Sequence, residues 1–175
     1  MGGDDTALRA VFTIDNPTNL KRGNRFDYEL VITNQGNKTL VIPQCLNWED
    51  VESGSRDQRY IWATVGVKVS AKGDLESELD GGLTLYGTEE RPSSELVLKS
   101  GESVRILGSE ILPISMSING KIIGEAKLAG VFYVGSGWLH RTPTPTIPDG
   151  YRDETRLLLS AVAEEQYLVS LGPEQ

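Results

Sequence analysis

A single cysteine and a single histidine in 175 residues close off much of the usual chemistry of protein sites. Cys45 cannot form an intrachain disulfide, and a zinc site built from several thiolates is impossible. The fold must therefore be held by apolar packing, which a chain of roughly 150 residues achieves by burying about 70% of its unfolded surface. Cys45 lies among apolar neighbours in Val41-Ile42-Pro43-Gln44-Cys45-Leu46 and reads as a small buried hydrophobe. Positive charge is also scarce, with 17 Lys and Arg against 25 Asp and Glu, a net charge of −8 and no basic run. That balance argues against nucleic acid as the partner, because affinity for phosphate backbones comes from clustered cations. No stretch approaches the ~18 consecutive apolar residues of a membrane-spanning helix. The start, Met1-Gly2-Gly3-Asp4-Asp5, has no charged-then-apolar leader pattern.

What is present is apolar alternation of period two, the mark of half-buried strands. Ala7 to Ile14 reads as a first strand, ended by Asp15-Asn16-Pro17. Phe26, Tyr28, Leu30 and Ile32 alternate with polar residues, and Asn34-Gln35-Gly36-Asn37 then predicts a hairpin returning through Thr39 to Ile42. Tyr60 to Ser70 is rich in β-branched and aromatic residues and predicts a long strand with Trp62 packed in the core. Short strands follow at Leu83 to Tyr86, Glu95 to Leu98 and Ser103 to Leu107, and a strong one at Lys127 to Val134. Thr155 to Val162 is expected to be the last main strand, with an amphipathic helix over Leu157 to Leu168 as the alternative. Three polar or proline-rich segments interrupt the pattern: Trp48 to Arg59, Lys72 to Gly82 as a mobile connection, and Gly135 to Tyr151 as a long loop. Many short strands with Gly, Pro, Asn and Asp punctuation predict an all-β fold, an immunoglobulin-like antiparallel β-sandwich with long loop insertions. Residues 1–6 are expected to be a disordered tail and residues 7–171 one embellished domain.

Three pieces, in order, carry a family resemblance. They are Phe26 to Gly36 ending in Asn34-Gln35-Gly36, the turn Leu98-Lys99-Ser100-Gly101-Glu102, and Leu128-Ala129-Gly130-Val131-Phe132-Tyr133-Val134. This succession resembles prokaryotic immunoglobulin-like sandwiches, among them the domain of the bacterial intracellular proteinase inhibitor family. The resemblance covers roughly half of the chain and implies fold far more than activity. It departs at Phe132, where a tyrosine would bond back to the backbone as in a tyrosine corner, while Tyr133 points to the other face.

Few residues suggest chemistry. Ser136, His140 and Asp149 are the only approach to a hydrolase triad, yet Gly135-Ser136-Gly137 lacks the strand-to-helix elbow that would expose the hydroxyl, and His140 reads as an exposed loop residue. Asp74, Glu76, Glu78 and Asp80 alternate and would share a face, but Leu79 stands where a calcium loop needs glycine. That segment reads as a solvated acidic loop. Neither a metal nor a cofactor is expected. Asn37-Lys38-Thr39 fits a glycosylation acceptor only in a eukaryotic secretory setting.

Binding residues are better represented. Alternating prolines restrict φ and stiffen the stretch from Arg141 through Pro143, Pro145 and Pro148 to Tyr151. With Trp138 and Trp48 these seven residues form the expected contact surface, since Trp, Tyr and Arg are enriched at binding hot spots. The expectation is a non-enzymatic protein-interaction module of a bacterial envelope or secreted assembly, extracytoplasmic in preference to cytoplasmic, whose partner is another protein. A proteinase inhibitor and a carbohydrate-binding module using Trp48 and Trp138 are the alternatives.

Overall fold

The computed structural model describes residues 8–43, 51, 57–79, 82–88, 95–140 and 152–170. The protein is all-β, and its strands pair antiparallel throughout the described residues. One sheet places β2 (Arg25–Asn34) between β1 (Leu8–Ile14) and β8 (Ser103–Ile111). A larger sheet is built on two long central strands, β4 (Gln58–Ala71) and β11 (Glu125–His140). Each long strand is flanked by an interrupted one. β5 (Leu75–Glu78) and β6 (Leu83–Thr88) run in succession along β4, and β12 (Arg152–Val162) and β13 (Tyr167–Ser170) along β11. Two small ribbons complete the fold, β3 (Leu40–Pro43) with β7 (Glu95–Leu98) and β9 (Ser117–Ile118) with β10 (Lys121–Ile122). Among the described residues no helix is long and apolar enough to cross a membrane.

Period-two alternation does what physical chemistry requires of it: Phe26, Tyr28, Leu30 and Ile32 are all buried on one face of β2. Opposite them lie Ala63, Val65, Val67 and Val69 of β4 and Ala126, Leu128, Phe132 and Val134 of β11, so the two larger sheets share one core. Each fully buried Leu, Val or Phe contributes about 1.5–3 kcal/mol. Gly130 sets how closely the layers meet. A Cβ there would stand 2.6 Å from both Leu30 and Phe12, so those side chains rest directly on the β11 backbone. Phe132 is in this core and Tyr133 points away from it, as the alternation demands.

The expected hairpin between Phe26–Thr33 and Thr39–Ile42 does not form. β2 pairs with β1 and β8, and β3 pairs instead with β7, matching Leu40 to Leu98 and Ile42 to Leu96. The cause is Asn34, whose residue is fully buried. Its side-chain amide donates to the carbonyls of Lys38 (2.7 Å) and Leu98 (2.9 Å), and its side-chain oxygen accepts from the Gly36 N–H (3.0 Å). Its backbone N–H donates to Glu102 O, and its carbonyl accepts from Gly101 N–H at 2.7 Å. The Asn-x-Gly end of β2 and the Ser-Gly-Glu turn are thus halves of one junction. Lys99 N–H donates to the Glu102 carboxylate (2.8 Å), and Gly101 takes φ +81°, a conformation open to glycine.

Two further expectations are corrected. Lys72 to Glu78 is a hairpin, not a mobile connection: β4 turns at Gly73 (φ +87°) and Asp74 (φ +59°) into β5, pairing Ala71 with Leu75. β11 runs on to His140, so Gly135 to His140 is strand rather than loop. Thr155 to Val162 is strand as expected, within β12, and the alternative helix over Leu157 to Leu168 does not form, since Leu168 lies in β13.

Replacing Asn34 by Ala strands the buried Leu98 carbonyl and Gly36 amide and the part-buried Lys38 carbonyl, a buried group left unpaired costing about 1–3 kcal/mol. Urea denaturation of Asn34→Ala is expected to show a loss of about 3 kcal/mol or more, and a loss below about 1 kcal/mol would remove Asn34 from this role.

Candidate functional site

β4 and β11 extend past the shared core, and this extension carries a separate apolar cluster on the face turned away from it. Tyr60 and Leu139 are buried there with Val51, flanked by half-buried Trp62 and Tyr86. Two glycines make it possible. In register, Gly135 lies opposite Trp62 and Gly137 opposite Tyr60, and a Cβ at either would fall 2.0–2.1 Å from the facing ring. The Gly-Ser-Gly sequence is therefore a seat for two aromatic rings on a neighbouring strand, not a loop. Trp62 accordingly packs in this second cluster rather than in the main core. The Tyr60 hydroxyl donates to the Asp153 carboxylate at 2.8 Å and fastens β4 to β12 across β11.

The opposite face of the same extension holds four groups of binding type. Trp138 on β11 is half-buried and lies directly across from Arg59 of β4, whose guanidinium stands 4.5 Å from the indole centroid. The His140 ring, two residues along the strand, lies 4.0 Å from the Trp138 ring at an interplanar angle of 35°. His140 Nε2 is 3.2 Å from a carboxylate oxygen of Glu154 on β12. Arg59, Trp138, His140 and Glu154 thus form a continuous row of cation, aromatic rings and carboxylate across three strands.

Of the expected contact residues, Trp138 alone falls among the described residues, and it is in a strand rather than in a loop. Trp48, Arg141, Pro143, Pro145, Pro148 and Tyr151 lie outside the described residues, as do Cys45 and Asp149. His140 is likewise a strand residue, with a side chain only 18% exposed. Ser136 and His140 are four residues apart on one strand, roughly 13 Å at ~3.3 Å per residue, too far for proton transfer between them. Arg59 and Glu154 were not apparent from the sequence, because their relation to Trp138 is set by strand register.

Two of the acidic residues after β4 are individually engaged. Glu76 is ion-paired with Lys68 at 2.8 Å, and Glu78 accepts a hydrogen bond from the Tyr133 hydroxyl. Asp80 lies outside the described residues. Among the described residues no three His, Cys, Asp or Glu side chains converge as metal ligands do.

No protein-family model matches the chain, and no curated protein is similar enough to match it. Among solved structures, it is similar to the sporulation control protein Spo0M of Bacillus subtilis, with 13% identity, a TM-score of 0.32 and coverage of 87% of this chain. The chain spans about half of that protein, 48% of its length. It is also similar to the protein assigned as ApaA in Bordetella pertussis, with 10% identity, a TM-score of 0.31 and 97% of both chains covered. Likeness at this level carries no functional content.

Among the described residues, four tyrosines are held neutral beyond the ordinary range. Burial, then the hydrogen bond to Glu78, pushes Tyr133 up to about 12. Burial raises Tyr60, with Asp153 adding to the effect; burial also raises Tyr86 and Tyr28, reinforced by Asp153 and Glu110 respectively. A phenol whose folded pKa lies above its unfolded value near ~10 lends stability that is intact below pH ~10 and lost as pH rises toward the folded value. Absorbance titration of the native protein should show a late-ionising component that Tyr133→Phe reduces and urea abolishes. A single transition near pH ~10 for all six phenols would contradict this packing. Gly137→Ala should displace the Tyr60 ring, break its bond to Asp153 and destabilise by about 1–3 kcal/mol in chemical denaturation.

Proposed function

We propose that this chain is an immunoglobulin-like β-sandwich module that acts without catalysis, by binding another protein. The observation that carries the reading is the row formed by Arg59, Trp138, His140 and Glu154 on the strand extension. It lies at the end of β11 and the start of β12, at the root of the proline-rich connection between His140 and Arg152. An indole fixed between a guanidinium and an imidazole loses little side-chain entropy on contact, the condition under which Trp and Arg become binding anchors. Prolines in the adjoining connection lower its ordering cost in the same way. The immunoglobulin-like assignment draws on the junction at Asn34 and the close layer contact at Gly130, where all three pieces of the sequence resemblance have a structural part.

Affinity capture from the source organism, quantified by mass spectrometry, tests this. A partner retained by the parent chain is expected to be lost, or weakened at least about tenfold, with Trp138→Ala and with Arg59→Ala, each costing more than 1.4 kcal/mol of binding. Melting temperatures should stay near the parent's. Retention of the same proteins by both variants would remove this surface from the function.

A further inference from the structure

At the opposite end of the large sheet, a cleft of about 760 Å³ opens between two tight turns and β13. One jaw is the β4–β5 turn, fixed by the left-handed residues Gly73 and Asp74. The other is the β9–β10 turn, where Asn119 (φ +51°) and Gly120 (φ +77°) impose a similar reversal and Ile123 N–H donates to Met116 O at 2.8 Å. Such turns are pre-set by backbone geometry, so the jaws need little ordering when something enters.

The lining is chemically two-sided. Lys72, Lys121 and Lys127 contribute to it, and among the described residues none of their ammonium groups is in an ion pair. Asp74 and Glu125 also line it, so its formal charge is 3 − 2 = +1, against −8 − 1 = −9 for the rest of the chain. The local sign is thus the reverse of the molecule's. Apolar wall comes from Leu75, Ile122 and Leu168. Ile122 is 83% and Leu168 63% exposed, a cost in water that a bound apolar group would remove.

We propose that this cleft binds a small amphiphilic anion, one negatively charged head group on an apolar chain. The volume falls within the roughly 300–1,000 Å³ of small-molecule sites. Lys72, Lys121 and Lys127 hold the head group, and Ile122 and Leu168 close on the chain. A polyanion is disfavoured by the −9 carried elsewhere, whereas a single charge matches the net +1 of the lining. This site is independent of the Trp138 surface and stands or falls separately from the protein-binding reading.

Amide NMR titration of the full chain with decanoate, kept below its micelle concentration, tests the proposal. Saturable shifts are expected at Gly73, Gly120 and Gly124, with at least about tenfold weaker binding for decanol, which has the chain without the charge. Lys72→Gln/Lys121→Gln/Lys127→Gln should weaken decanoate binding by a similar factor while leaving decanol unaffected. Inorganic phosphate, a charge without a chain, should bind at least tenfold more weakly than decanoate. Equal affinity for decanol and decanoate, unchanged binding by the triple variant, or shifts centred elsewhere would overturn it.

Discussion

The Asn34 side chain has no access to water, and its hydrogen bonds reach three parts of the chain at once: the 36–38 connection, β7 and the turn into β8. A buried amide tolerates few arrangements, because every group left unpaired in a low-dielectric interior carries its full desolvation cost. The junction therefore pins the register of β2 against β8. A slip of one residue would turn Phe26, Tyr28, Leu30 and Ile32 from core to solvent. With that register held, Leu30 and Phe12 come to rest on Gly130, and the spacing of the two layers follows. The same bonds lead the chain away from β2 and across to β7.

A second constraint repeats through the structure, a glycine facing a large side chain on a neighbouring strand or, at Gly130, from the opposing sheet. Gly108 accommodates Tyr28, Gly130 accommodates Phe12 and Leu30, and Gly135 and Gly137 accommodate Trp62 and Tyr60. Glycine weakens a strand by itself, but a ring laid on bare backbone restores apolar contact and excludes water from the ladder. On the strand extension this gives β4 and β11 a packed rear face, braced by the Tyr60–Asp153 hydrogen bond. The Trp138 row on the front face thus stands on a stiff support, which a surface anchor needs.

The two candidate surfaces lie at opposite ends of β11. Ala126 lines the cleft and Trp138 belongs to the row, twelve residues apart, or roughly 40 Å at ~3.4 Å per residue. Their chemistry differs as well. The row offers rings with a cation and a carboxylate already paired beside them, whereas the cleft offers unpaired ammonium groups beside exposed aliphatic carbon. On the two proposed readings, a protein partner and a small ligand would engage opposite ends of one large sheet without competing.

Much of the strand pattern was legible because burial on one face of a strand writes itself into every second residue, as in Phe26 to Ile32 and Lys127 to Val134. The segment from Asn34 to Asn37 misled because it meets the local requirements of a hairpin equally well; only the distant Leu98, Gly101 and Glu102 decide that Asn34 is spent elsewhere. Gly135-Ser136-Gly137 misled for a related reason: a glycine that serves as a seat for a ring is indistinguishable, in one dimension, from a glycine that breaks a strand. Trp138 was recognisable as a candidate contact residue from its type, but its neighbours Arg59 and Glu154 were not, since 79 and 16 residues of chain separate them from it and register alone brings them together. By itself the sequence determined the all-β class, the inward residues of the main strands and the acidic balance, all of which follow from residue type and period. Tertiary structure decided which strands pair, where the glycines meet rings and how three lysines come to line one cleft, because those depend on contacts between residues far apart in the chain.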